Sequence, residues 1–152
     1  NMAGLACSNA VVQDQGLYEK IMASYHMPMP TPFAIAGHIA AFTEGDEWMD
    51  QVCEYIEGNI DWAIEFFKKE MPKLVVCKPE GTYCLWLDFT AYGLSGEEIH
   101  KRIYEDAAVI LQDGTVHDPI EGQAFQRMCV PCARSVLMEA CRRIAKVFED
   151  VK

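Results

Sequence analysis

From Asp46 to Met71 the residues Trp48, Val52, Tyr55, Ile56, Ile60, Ala63, Phe66 and Phe67 recur at the helical period, and Pro72 ends the pattern. At 1.5 Å per residue this run predicts a helix of roughly 35–40 Å, long for an isolated small domain. Such a helix is expected to bridge two domains, and the rest of the chain has to be arranged around it. Gly58, near its middle, is expected to mark a bend, because glycine weakens a helix interior by about 1 kcal/mol relative to alanine.

Ahead of this helix, residues 1–13 are small and apolar, and Val11-Val12 predicts an extended strand. After Asp14, the four-residue spacing of Leu17, Ile21 and Tyr25 predicts a short helix. Thr31-Pro32 supplies an N-cap and a first helical position for a second helix through Phe42. Its Ala34, Ala36, Gly37, Ala40 and Ala41 would let the backbone sit close to a neighbour, as in a helix deep inside a larger body.

Beyond Pro72 the period changes. Leu74 to Cys77, a turn at Pro79-Glu80-Gly81, and Thr82 to Phe89 predict a β-hairpin. Ser95 with Glu98 forms a capping box for a helix whose Ile99 and Ile103 face a core. A short strand at Val109 to Leu111, a turn at Gly114, a strand at Phe125 to Val130 and a last helix from Ser135 follow, with Leu137, Cys141, Ile144 and Phe148 as that helix's buried stripe. From about residue 60 the order is β-β-α-β-β-α, a two-layer α+β domain with helices on one face of a largely antiparallel sheet.

The chain has 152 residues, 51% of them apolar, enough for one domain with a core or a small domain plus part of another. No run is long and uncharged enough to cross a bilayer, and the first ten residues lack the features of a signal peptide, so a cytoplasmic protein is expected. A net charge of −10 repels phosphate backbones and anionic headgroups, which argues against nucleic acid and membrane as partners. The seven cysteines, Cys7, Cys53, Cys77, Cys84, Cys129, Cys132 and Cys141, fall mostly in apolar periodic segments and read as reduced, buried thiols.

Two features carry chemistry. Cys129-Val130-Pro131-Cys132 has the spacing of thiol–disulfide oxidoreductases and of half a zinc site. A thioredoxin-like domain needs a sheet and helices after the motif, whereas only twenty residues follow Cys132, and no second close ligand pair is present. Arg134, just before Ser135 as expected N-cap, sits near the positive end of the last helix, an unfavourable place for a cation unless it faces an anion. It is either an anion-binding residue or an ordinary surface arginine. His26, His38, His100 and His117 have no partner at a spacing that suggests a triad, and Glu97-Glu98 and Glu44/Asp46/Glu47 read as solvated helix starts.

Three segments, in order and at matching separations, resemble the aminotransferase class I/II family of pyridoxal-phosphate (PLP) enzymes, in its MalY/PatB-type cystathionine β-lyase branch. Asn1-Met2-Ala3-Gly4-Leu5 resembles the tail of the family's K-T-F-N-[IL]-A-G-L lysine loop. Pro79 to Tyr83 with Leu85-Trp86-Leu87-Asp88 resembles its G-T-Y-L-x-W-L-D hairpin. Gly122, Phe125, Arg127, Cys132, Arg134 and Ser135 resemble the segment that ends in its substrate-carboxylate arginine.

The resemblance implies the small C-terminal domain of the PLP-dependent transferase fold over 58–152, with 1–57 as a strand and helices from the tail of the large PLP-binding domain. It implies pyridoxal 5'-phosphate as cofactor of the complete enzyme, a small amino-acid substrate, a homodimer, and C–S β-lyase or aminotransferase activity, the lyase favoured by similarity. Arg134 would clamp the substrate's α-carboxylate. The cofactor lysine would lie three residues before Asn1, so no catalytic residue is expected within the chain, which alone would be inactive and would not bind the cofactor covalently. Cys129 stands where the family usually has asparagine, Ala133 where it usually has proline, and Thr115-Val116-His117 replaces a more aromatic loop. The other readings are a stand-alone binding or regulatory module built on the small domain, and a C-x-x-C thiol-redox protein.

The cysteine reading predicts that freshly purified protein contains no disulfide framework. Intact mass before and after alkylation under native, non-reducing conditions checks this, and a loss of two hydrogens per bridge would contradict it.

Overall fold

The computed structural model describes residues 2–24 and 29–151, which fall into two compact units, Asn1–Gln51 and Val52–Lys152. Tyr25 and His26 lie outside the described residues. The first unit opens with a single 3-10 turn, Ala3–Leu5, followed by irregular chain to residue 14. The strand expected around Val11-Val12 is therefore absent: Val11 is 90% exposed, and a strand whose N–H and C=O groups lack a ladder partner has nothing to hold it.

Helix α1, Gln15–Ser24, starts where Asp14 Oδ1 accepts the Leu17 N–H at 2.6 Å. Helix α2, Pro32–Glu44, is capped as expected, with Thr31 Oγ1 accepting the Ala34 N–H at 3.2 Å and Pro32 at the first position. Ala34 is the one buried residue among those described in this unit, while Phe33, Ile39 and Phe42 are exposed. Helix α3, Asp46–Glu70, starts in the first unit and is unbroken at Gly58 in the second. Acidic residues in its first turn and Lys68 and Lys69 in its last complement the helix dipole.

The second unit is built on four antiparallel strands: β1 Val75–Cys77, β2 Cys84–Asp88, β3 Gln112–Asp113 and β4 Phe125–Cys129, in the order β1-β2-β4-β3. The register pairs Leu85 with Met128 and Leu87 with Gln126 on the inner face, and Cys84 with Cys129 and Trp86 with Arg127 on the outer. Helix α4, Gly96–Lys101, capped by Ser95, widens into a π-helical turn, Arg102–Asp106; helix α5 spans Arg134–Val147. Ile60, Ala63 and Phe67 of α3, Ile99 of α4, and Leu137, Cys141 and Ile144 of α5 pack on the inner face, with Phe148 closing the core against Phe89 and Tyr92. The domain is α+β, with its helices on one face of the sheet.

Two local expectations shift. The third strand is at Gln112–Asp113 rather than 109–111: the chain leaves the π-turn through Ala108 at φ 51°, and Val109 spends its N–H on Ile103 C=O instead of the sheet. The cysteines are mostly not buried. Cys141 is in the core, but strand alternation turns Cys77, Cys84 and Cys129 to the outer face, and Cys53 lies on the exposed side of α3.

Phe148→Ala is expected to cost about 3–5 kcal/mol in urea unfolding, the usual range for deleting a fully buried phenylalanine. Arg102 donates to both Asp150 carboxylate oxygens at 2.6 and 2.9 Å, to Glu98 at 2.8 Å and to Val147 C=O at 2.6 Å. Its guanidinium holds the Asp150 carboxyl below the ordinary carboxylate range. This pairing contributes fully above the unfolded-state carboxylate pKa of about 4 and is lost as pH falls through the lower folded value. Thermal melts of wild type and Asp150→Asn should therefore converge toward acid pH; a difference that persists unchanged to low pH contradicts this.

Candidate functional site

The N-terminus of α5 meets the middle of α3. Ala133 occupies the N-cap position and offers no capping side chain, so the helix starts at Arg134, one residue before the start expected at Ser135. The missing cap is replaced from α3, where Tyr55 Oη accepts the Arg134 N–H at 2.8 Å. One turn on, Asn59 is fully buried and uses its whole amide. Nδ2 donates to Val130 C=O at 2.7 Å and to Cys132 C=O at 3.0 Å, and Oδ1 accepts the Nε–H of Arg134. The amide thus pins the strand-to-helix connection and the arginine emerging from it.

Tyr55, Gly58 and Asn59 lie within one turn and share a helix face. The Tyr55 ring lies 6.0 Å from the Arg134 guanidinium carbon. At Gly58 a Cβ would come 3.0 Å from Arg134 Nη2, so glycine here leaves room for the guanidinium. With Nε fixed by Asn59, neither Nη of Arg134 has a hydrogen-bond or carboxylate partner among the described residues. Arg102, Arg142 and Arg143, by contrast, are each paired with a carboxylate. A half-buried cation at a helix N-terminus, stacked, oriented and uncompensated, is suited to an anion that arrives with the ligand.

The other candidates fall elsewhere. The sulfur of Cys129 faces Cys84 on the neighbouring strand at 3.5 Å, and no group of three potential metal ligands occurs among the described residues. His100 pairs with Asp113 at 2.9 Å, and His117 lies edge-on to Trp86 and within 3.1 Å of Gln112. His38 bonds its own helix at Ala34 C=O, and Glu98 is held by Arg102. Every described lysine is exposed. Tyr55 and Asn59 were missed in the sequence. The signal was Asn59 itself, one polar residue beside Ile60 in an otherwise apolar stripe.

The chain is 36% identical over 147 residues to the cystathionine β-lyase PatB of Bacillus subtilis, covering 95% of this chain and 38% of that protein. Protein MalY of Escherichia coli is 29% identical over 123 residues, 81% of this chain and 31% of MalY. Among solved structures, a PLP-bound protein of Clostridium difficile 630 superposes with a TM-score of 0.83 at 36% identity, over 91% of this chain and 36% of that one. The chain belongs to the PLP-dependent aminotransferase class I/II family, in the branch that holds PatB and MalY. It spans less than two-fifths of the length of either of these curated relatives. No protein-family profile matches it.

Asn59→Ala in this family member leaves Cys132 C=O without its donor and Val130 C=O with only the Cys132 N–H, and an unpaired buried polar group costs about 1–3 kcal/mol. Chemical unfolding should register a loss of at least that size, with faster amide exchange in residues 130–134. Unchanged stability would mean that water replaces the amide at no cost.

Proposed function

We propose that this chain supplies the substrate-carboxylate site of a PLP-dependent C–S β-lyase of the cystathionine β-lyase type, with Arg134 as the residue that binds the α-carboxylate. The observation that carries this reading is the fixed arginine without a carboxylate partner at the N-terminus of α5. In this reading residues 1–57 are the tail of the large cofactor-binding domain and 58–152 are the small domain. The exposed apolar residues of α2, Phe33, Ile39 and Phe42, then pack on protein outside this chain, and the complete enzyme is a homodimer.

The residues present fit the amino-acid substrate, not the cofactor. Pyridoxal phosphate supplies an electron sink for the carbanion at the substrate Cα. In this reading its lysine lies outside this chain, as the resemblance of residues 1–5 to the tail of the family's lysine loop implies. Arg134 binds and orients. Its Nη edge presents two parallel N–H groups to a carboxylate, while Asn59 and Tyr55 restrict its rotation, so a bound substrate is held in one orientation. The arginine carries charge and direction and transfers no proton. A β-thio amino acid would be cleaved, with uptake of one water, to a thiol, pyruvate and ammonia. An aminotransferase would use the same carboxylate site, and the lyase is preferred on the kinship with PatB.

In the complete enzyme, Arg134→Ala removes hydrogen bonds to a charged group, worth about 1.5–3 kcal/mol or a roughly 10- to 150-fold loss in kcat/KM. Arg134→Lys should restore only part, because an ammonium does not reproduce the planar fork. Cys132→Ser should leave turnover nearly unchanged. Steady-state pyruvate release, with melting curves to exclude unfolding, measures all three, and wild-type kinetics in Arg134→Ala would overturn the assignment. The 152-residue chain mixed with pyridoxal phosphate should yield no stoichiometric borohydride-reducible adduct at a single lysine.

A further inference from the structure

The outer face of the sheet carries a pair of reactive groups that the arginine site does not use. Cys84 of β2 and Cys129 at the end of β4 are directly opposite in the register, with their Sγ atoms 3.5 Å apart. Next to them, Val130 donates its N–H to Tyr83 C=O at 3.1 Å. Hydrogen-bonded and non-hydrogen-bonded pairs alternate along an antiparallel ladder, so the cysteines form a non-hydrogen-bonded pair, the close kind with Cα atoms about 4.5 Å apart. That separation lies within the roughly 4.4–6.8 Å that a disulfide spans. Cys129 is exposed and Cys84 half-buried. Cys129 also lines an open groove of about 890 Å³ between residues 108–112, β4 and the start of α5, with Arg127 and Arg143 on its wall.

We propose that Cys84 and Cys129 are a reversible cross-strand disulfide site, closed by exchange with a low-molecular-weight disulfide that reaches Cys129 through this groove. The Cys129 thiolate attacks one sulfur of the small disulfide, whose S–S bond breaks to release one small thiolate and leave a mixed disulfide on Cys129. The Cys84 thiolate then attacks Cys129 Sγ and expels the second small thiolate. The two protein thiols give up two protons and two electrons, and the small disulfide leaves as two thiols. The division of roles follows exposure: Cys129 meets the reagent and Cys84 resolves.

Burial first, then the contact with Cys129, pushes the Cys84 thiol up, which lowers its thiolate fraction and leaves the first attack to the exposed Cys129. The other thiols are less well placed. Cys77 faces Trp86 across the ladder, and Cys141 is in the core with its thiol pushed up to about 12, chiefly by burial. Cys132 is the rival partner for Cys129 by spacing, but Cys84 is the thiol the register sets against it.

The test reduces the 152-residue chain and titrates it with oxidised glutathione. Wild type should lose two hydrogens by intact mass, give one Cys84–Cys129 cross-linked peptide, and revert with dithiothreitol. Cys84→Ser should stop at a stable glutathione adduct on Cys129, Cys129→Ser should form no cross-link, and Cys132→Ser should behave as wild type, with circular dichroism melts verifying the fold of each. A Cys129–Cys132 cross-link, a wild-type adduct that never resolves, or no oxidation in excess oxidised glutathione overturns the proposal.

Discussion

The buried amide of Asn59 is the interaction on which the second unit depends. A lone carboxamide in an apolar interior is costly unless its donors and acceptor are used, and here Nδ2 and Oδ1 all find partners on one connection, Val130 to Arg134. The pairing sets how α3 meets the strand-to-helix corner, and it holds Val130 C=O and Cys132 C=O where neither strand nor helix bonds them. Without it, β4 and α5 would still share the core through Met128 and Leu137, but the arginine between them would be free to turn.

The sheet separates two kinds of chemistry by alternation alone. Its inner face is the core, where Leu85, Leu87 and Met128 meet three helices. Its outer face carries Trp86 stacked on Phe125 at 5.6 Å, Arg127 bonded to Gln112 at 2.8 Å, and the Cys84–Cys129 pair. A shift of one residue in the β2–β4 register would exchange the two sets, so the thiols are reachable because the leucines are buried. Gly114 and Gly122 pass so closely that a Cβ on either would overlap the other's main chain, which holds the loop leading into β4.

Much of this was legible where periods are long and caps are local. Helix α3, its stop at Pro72, the Thr31 and Ser95 caps, the hairpin and the buried stripe of α5 follow from spacing and from residues within a few positions of each other. What escaped depends on distant partners. The first helical N–H of α5 is capped by Tyr55, 79 positions away, so Ser135 was a natural but mistaken choice of boundary. The segment 109–111 is apolar enough for a strand, yet the π-turn before it delivers the chain too late to pair. The cysteines were assigned to the core because their neighbours are apolar, and short strands with both faces rich in apolar residues hide which face is buried. Arg134 stands out in the sequence through its unfavourable position on a helix dipole and through the family resemblance, while the residues that hold it in place, at 55, 58 and 59, sit on an element that signals only its own helicity.

The proposed role of Arg134 is to read a carboxylate and not merely to pack. It is tested most directly by the affinities of the complete protein for an amino acid and for the matching amine that lacks only the α-carboxylate. The wild-type protein should prefer the amino acid, and Arg134→Ala should lose most of that preference by weakening the amino acid alone, by roughly 10-fold or more. Equal weakening of both ligands, or a preference that survives the substitution, would place carboxylate recognition at another residue.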